Sequence, residues 1–287
     1  MAGRHPYPFR ILNVFTVDGD AFSGNPLCVF EDARGLTDVQ MQALARQMNL
    51  SETTFVLPAT SDADARVRIF TPGFEMPFAG HPTLGTASVV ASTRGQQRVS
   101  LEMIAGVVSV SLADGEWTLR AAKPPATRAV DASRDELAAM LGLPPGSVSD
   151  EPLWVSTGVE QLVIPLASAE LVRATKPVMA LIEKHGFSET RQEAMAYVWA
   201  RESDRDITVR FFFTSNGALL EDPATGSACA NLGGWMIARG APRPMTATLS
   251  QGAAIERPSR LGLRIDERDQ IFVTGAVLEL GRGTVEV

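Results

Sequence analysis

The stretch "EMPFAGHPTLGTA", Glu75 to Ala87, decides how this chain is read, because part of it returns far downstream as "EDPATGSACA", Glu221 to Ala230. Set in register, the two share P-x-x-G-[ST]-A: Pro82, Gly85, Thr86 and Ala87 against Pro223, Gly226, Ser227 and Ala228. The offset is 141 (223 − 82), close to half of the 287 residues. Upstream, "VRIF" (Val67 to Phe70) echoes "VRFF" (Val209 to Phe212) at an offset of 142 (209 − 67). Self-similarity at half length points to two related halves, each running from a strand into a helix start.

In both copies a β-rich apolar run comes first, then a loop, then a proline. Its fixed φ and missing N–H suit the first turn of a helix. The segments that follow, "TLGTASVVAST" and "TGSACANLGGWMIARG", are apolar and rich in small residues, the pattern of central helices wrapped by strands. Around them lie short alternating or continuous apolar runs that read as strands, from "FRILNVFTV", "NPLCVFE" and "TTFVLP" to "LWVSTG", "QLVIPL", "DITVRFFFT" and "QIFVTGAV". A capping-box pattern, Thr37 with Gln40, starts a helix over "MQALARQM", and two more helices are predicted near Arg134–Leu141 and Pro177–His185. The stretch "AAKPPATRAVDAS" is the linker candidate. Two α+β halves follow, residues 1–120 joined by a C-terminal strand at about 277–287, and residues 121–276, with an active site expected in the cleft between them.

Composition removes several functions. With 26 basic against 33 acidic residues and a net charge of −7, the chain has no concentrated basic surface for nucleic acid. No apolar run is long enough to span a bilayer, and "MAGRHPYPFR" has no signal-peptide core, so no membrane partner and a cytoplasmic location are expected. Cys28 and Cys229 are too few for a disulfide framework, and His5, His81 and His185 have no zinc-site spacing, so neither metal nor organic cofactor is expected.

At the repeat register, His81 and Asp222 occupy equivalent positions (222 − 81 = 141). Each is predicted at a helix start, where main-chain N–H groups and the positive end of the helix dipole hold an anion, with Asp222 as an N-cap. Gly80, Gly226 and Ser227 would supply N–H groups there, and Ser227 a hydroxyl. Glu52, in "NLSETTFVLP" behind Ser51, would serve as general base and then acid if placed where water is scarce. Asn25, in "SGNPLCVF", is either a turn residue or part of the site lining.

Taken together, "NVFTVDGDAFSGNPLCVF", "NLSETTFVLP", "RIFTPGFEMPFAGHPTLGTA", "EDPATGSACANLGGWM" and "QGAAIERPSRLGLRI" resemble the phenazine-biosynthesis PhzF-like family, within a superfamily that includes diaminopimelate epimerase and proline racemase. The resemblance implies two pseudo-symmetric halves, each a mostly antiparallel sheet rolled round a central helix. It implies a cofactor-independent isomerase that moves a proton within a small anionic metabolite. Glu52 would be the acid/base, His81 and Asp222 would assist, and Gly80, Gly226, Ser227, Asn25 and Ser51 would bind substrate. A homodimer is also implied. The racemase branch carries two cysteines where this chain has Ala79 and Ala224. Two alternatives stay open: a two-base racemase or epimerase, and a non-catalytic protein that binds a small ligand in the same fold.

Overall fold

The computed structural model describes residues 5–215 and 217–287, so the first four residues of "MAGRHPYPFR" and Asn216 lie outside it. It is a mixed α/β fold with nineteen strands and six α-helices among the described residues. The chain divides into two compact units, residues 5–122 with 274–287, and residues 123–273.

The first unit runs β1 (Pro6–Val14), β2 (Asn25–Phe30), α1 (Asp38–Met48), β3 (Glu52–Leu57), β4 (Ala65–Phe70), β5 (Glu75–Met76), α2 (Gly80–Arg94), β6 (Arg98–Met103), β7 (Gly106–Ala113) and β8 (Glu116–Arg120). Its ladder is β1 antiparallel to β2, β2 parallel to β3, β3 antiparallel to β4, β4 parallel to β6, and β6 antiparallel to β7. Side chains along β2 alternate between faces. Leu27 turns to α2, whereas Cys28 and Phe30 join Phe55 and Phe70 in a core cluster with Met41 and Leu44 of α1. Phe30 stacks on Phe55 at 4.9 Å between ring centres, and Phe55 meets Phe70 edge-on at 5.4 Å. The expected capping box holds α1: Thr37 Oγ1 accepts from the Gln40 N–H, and the Thr37 N–H donates to the Gln40 side chain.

The second unit runs β9 (Ala126–Ala129), α3 (Arg134–Met140), β10 (Leu153–Ser156), β11 (Glu160–Pro165), α4 (Ala169–Ala174), α5 (Met179–His185), β12 (Phe187–Ser188), β13 (Glu193–Arg201), β14 (Asp206–Ser215), β15 (Ala218–Asp222), α6 (Gly226–Ala238), β16 (Met245–Gln251) and β17 (Ser259–Ile265). Its ladder is β10 antiparallel to β11, β11 parallel to β13, β13 antiparallel to β14, β14 parallel to β16, and β16 antiparallel to β17. The chain continues through β18 (Ile271–Gly275) into β19 (Val277–Glu286), which pairs with β1 along its whole length.

Both long apolar helices are buried on nearly every side, and small residues make that possible. A Cβ at Gly85 would lie 2.5 Å from Leu27 Cδ2 and 2.9 Å from Val14 Cγ2, so α2 meets β1 and β2 through its backbone. A Cβ at Gly234 of α6 would lie 2.7 Å from Pro125 Cβ and 2.9 Å from Val155 Cγ1.

Three expectations are corrected. The linker stretch contains β9, which pairs with β10, because its Thr127 and Arg128 follow the prolines that suggested a break. Helix α4, at Ala169–Ala174, was not expected; Ser168 caps it. Pro223 lies three residues ahead of α6 rather than in its first turn, whereas Pro82 is inside the first turn of α2.

Candidate active site

The two quoted motifs are reached through the same local device. In the first unit the Arg68 guanidinium donates Nε–H to Glu75 Oε1 at 2.7 Å and Nη2–H to Oε2 at 2.6 Å, and it lies 5.1 Å from the Phe70 ring centre. In the second, Arg210 makes the same fork to Glu221 at 3.0 and 2.7 Å and lies 4.7 Å from the Phe212 ring. Planar Arg–carboxylate forks fix orientation as well as adding charge attraction. Glu75 stands opposite Phe70 across β4 and β5, and Glu221 opposite Phe212 across β14 and β15. Each glutamate is followed five residues later by the first helical residue, Gly80 or Gly226.

This changes the register. From the glutamates onward the offset is 146 (221 − 75, and 226 − 80), because the β14–β15 hairpin is four residues longer than the β4–β5 hairpin. His81 therefore shares its helical position with Ser227, the second residue of each helix, and Asp222 ends β15 rather than capping α6. The P-x-x-G match at 141 is a coincidence of composition; the register that the elements keep is Glu-x-Pro-x-x-Gly.

Neither helix start is closed by a side chain. Ala79 and Thr225 precede α2 and α6 in extended backbone without a side-chain cap bond, whereas Thr37, Ser133 and Ser168 cap α1, α3 and α4. The leading N–H groups of a helix have no acceptor within it, so α2 and α6 present the positive ends of their dipoles without a competing side-chain oxygen.

At α2, the His81 Nδ1 lies 3.4 Å from Glu52 Oε2, and the two side chains are 5% and 15% exposed. Burial pulls the imidazole pKa down to about 3, against a hydrogen bond to the Pro26 carbonyl that favours the protonated ring. His81 is therefore neutral at physiological pH, and its meeting with Glu52 is not an ion pair. Its Nε2 has no hydrogen-bond partner among the described residues, so Nδ1 is the nitrogen that donates. The sheet brings the partners together: Glu52 opens β3 beside Leu27 of β2, one residue on from Pro26. Asn25 is fully buried at the start of β2, while Ser51 is exposed ahead of β3.

At α6, the Thr225 hydroxyl donates to Asp222 Oδ2 at 2.5 Å. Gln251 straps the turn, accepting from the Thr225 N–H at 3.2 Å and donating to the Asp222 carbonyl at 2.9 Å and to Thr225 Oγ1 at 3.0 Å. Ser227 Oγ accepts from Gln161 Nε2 at 2.8 Å, and Gln161 is in turn held by Asn231. Gln161, Asn231 and Gln251 were not singled out from the sequence. The signal available for the first two was a polar residue inside an apolar element, "QLVIPL" and "CANLGGWM". Both cysteines are buried, and desolvation raises the Cys28 thiol to about 12 and pushes Cys229 up as well.

Residues 12–280 match the PhzC-PhzF family, whose description is phenazine biosynthesis-like protein. The chain belongs to that family. It is 39% identical over 284 residues to an uncharacterized isomerase of Pasteurella multocida, covering 98% of this chain and 95% of that one. It is 34% identical over 280 residues to the trans-2,3-dihydro-3-hydroxyanthranilate isomerase of Pseudomonas chlororaphis, covering 93% and 97%. The fold matches that of a PhzF-family phenazine biosynthesis protein of Bacillus anthracis, with a TM-score of 0.83 and 24% identity over 99% and 100% of the two chains. As a PhzF-family member with such relatives, this protein is an isomerase. No helix among the described residues is long and apolar enough to cross a membrane.

Proposed function

We propose that this PhzF-like isomerase moves a proton within a small carboxylate-bearing metabolite, with Glu52 as the single acid/base and without a cofactor. The observation that carries the reading is Glu52 at 3.4 Å from a buried, neutral His81 on a helix start that no side chain caps. In the proposed reaction Glu52 takes a proton from a carbon activated by an adjacent double bond or carboxylate. The electron pair delocalises, and the same carboxyl group returns the proton to another carbon of the same molecule. Substrate and product then differ only in where one hydrogen and the double bonds sit, so no oxidant or co-reactant enters. A positioned carboxyl group of this kind contributes roughly 10²- to 10⁴-fold to rate.

We assign Asp222, Gly226 and Ser227, with Gly80, Asn25 and Ser51, to substrate binding, on the same helix-start logic. A cyclic diene carboxylate such as trans-2,3-dihydro-3-hydroxyanthranilate, which names the relatives' activity, is the substrate class to test first. Two buried cysteines with raised thiol pKa values speak against thiol bases. The shared ladder order and the shared Arg–Glu fork support reading the two units as internal repeats.

The test is mass spectrometry of trans-2,3-dihydro-3-hydroxyanthranilate and related unsaturated carboxylates incubated in D₂O with wild type and Glu52→Gln. Deuterium gain or isomer formation that vanishes in the variant is expected. Exchange that persists in Glu52→Gln would falsify the role given to that residue.

A further inference from the structure

Beneath the start of α6, Thr157, Asn231, Gln161 and Ser227 form one chain of hydrogen bonds. Thr157 (4% exposed), Gln161 (1%) and Asn231 (0%) are buried, whereas Ser227 is partly exposed. The direction of every bond follows from main-chain groups whose chemistry is not in question. The Thr157 N–H can only donate, and it does so to Asn231 Oδ1 at 2.8 Å, with the Thr157 hydroxyl adding a second bond at 2.8 Å. The Val159 carbonyl can only accept, and it takes Asn231 Nδ2 at 2.8 Å. The Asn231 amide is therefore set, and its remaining N–H goes to Gln161 Oε1 at 2.5 Å. That sets the second amide, so Gln161 presents Nε2–H to Ser227 Oγ at 2.8 Å.

One lone pair of Ser227 is thus taken, and among the described residues nothing accepts its O–H. The hydroxyls of Ser88, Ser92 and Thr93 in α2 behave otherwise, each donating back to the carbonyl three residues earlier in its own helix. A serine at the second helical position has no such carbonyl behind it.

We propose that Gln161, locked by Asn231, is a positioning residue that holds the Ser227 O–H as an outward donor beside the α6 N–H groups, for a carboxylate or carbonyl oxygen of the substrate. The role of Ser227 in binding rests on the function proposed above; the wiring of its hydroxyl does not. An acceptor group is favoured at this helix start, and an amino group is disfavoured, because the dipole and the hydroxyl proton both point positive charge at it.

The two parts are tested separately. Ser227→Cys places a thiol at the same position, and its pKa is read from the pH dependence of iodoacetamide alkylation, against which the buried Cys28 and Cys229 are silent. A donor amide stabilises the thiolate, so adding Gln161→Met is expected to raise that pKa by about one unit. Adding Gln161→Glu, which keeps the Asn231 bond and replaces the donor with an acceptor, raises it further. Circular dichroism confirms folding of each variant, and either one suffices. A thiol pKa unchanged by both replacements overturns the relay. In parallel, the Kd for 3-hydroxyanthranilate, a non-isomerising aromatic probe, is measured for Ser227→Ala, Gln161→Met and the double variant. Roughly tenfold losses that fail to add are expected, since one residue acts through the other. A Kd that Ser227→Ala leaves unchanged, or a wild type that does not bind the probe, overturns the binding role of Ser227 while the thiol result still decides the relay.

Discussion

The starts of α2 and α6 are built alike and used differently. Each follows an Arg–Glu fork, an extended uncapped residue and a glycine, yet the second helical residue is His81 in one and Ser227 in the other. At α2 the polar groups are sparse and desolvated: a neutral imidazole with one unpartnered nitrogen, close to a carboxylate that opens a strand. At α6 they are wired, with Gln161, Asn231 and Gln251 assigning donors and acceptors around Ser227 and Thr225. A desolvated pair suits a group whose proton must move, because neither partner is stabilised in one protonation state by many bonds. A wired one suits a group that must hold still, because each donor direction is set before a ligand arrives.

The largest test of that contrast is Glu52→Gln, which removes the only ionisable carboxyl group facing His81 in the pair. It is expected to lower kcat about a thousandfold with KM changed far less, as measured by steady-state kinetics. Comparable losses on mutating Ser227 would erase the distinction between the two helix starts.

Packing gives the next effect. Gly85→Ala forces a methyl group against Leu27 and Val14, and is expected to destabilise the fold by about 1–3 kcal/mol in urea unfolding. The matching Gly234→Ala at α6, against Pro125 and Val155, tests whether both helices are held as tightly.

A pH dependence separates the helices further. The His81 pKa is about 3 in the folded protein, below the ordinary imidazole value near 6.5. Between those values the unfolded chain binds a proton that the folded one does not, so the contribution is fully present above about pH 6.5 and is lost as pH falls. The slope approaches about 1.4 kcal/mol per pH unit between pH 6 and 5, and His81→Asn should flatten it. A slope unchanged in that variant would show that His81 is protonated in the folded state.

The smallest effect belongs to a helix start that has a cap. Thr37→Ala breaks the capping box of α1 and is expected to cost about 1 kcal/mol with activity unchanged, as read from thermal unfolding and initial rates.

Local chemistry made much of this legible beforehand. Thr37 and Gln40 announced α1, and apolar alternation marked β1 through β4, because side-chain periodicity and capping act over a few residues. The small-residue runs identified α2 and α6 as buried, since only glycine and alanine allow the approach that Gly85 and Gly234 make. The register of the repeat was misread because Pro82 and Pro223 look equivalent in sequence, while the longer β14–β15 hairpin shifts everything after it by four residues.

By itself the sequence determined that the chain holds two strand-to-helix motifs with buried helices and little metal-binding material, since those follow from residue type and short spacing. Tertiary structure decided that His81 meets Glu52, 29 residues away, and that Gln161 reaches Ser227 across 66 residues. Such meetings depend on which strands pair and in what register. The parallel β2–β3 and β11–β13 pairs bring distant segments side by side through the sum of many contacts, which no local pattern encodes.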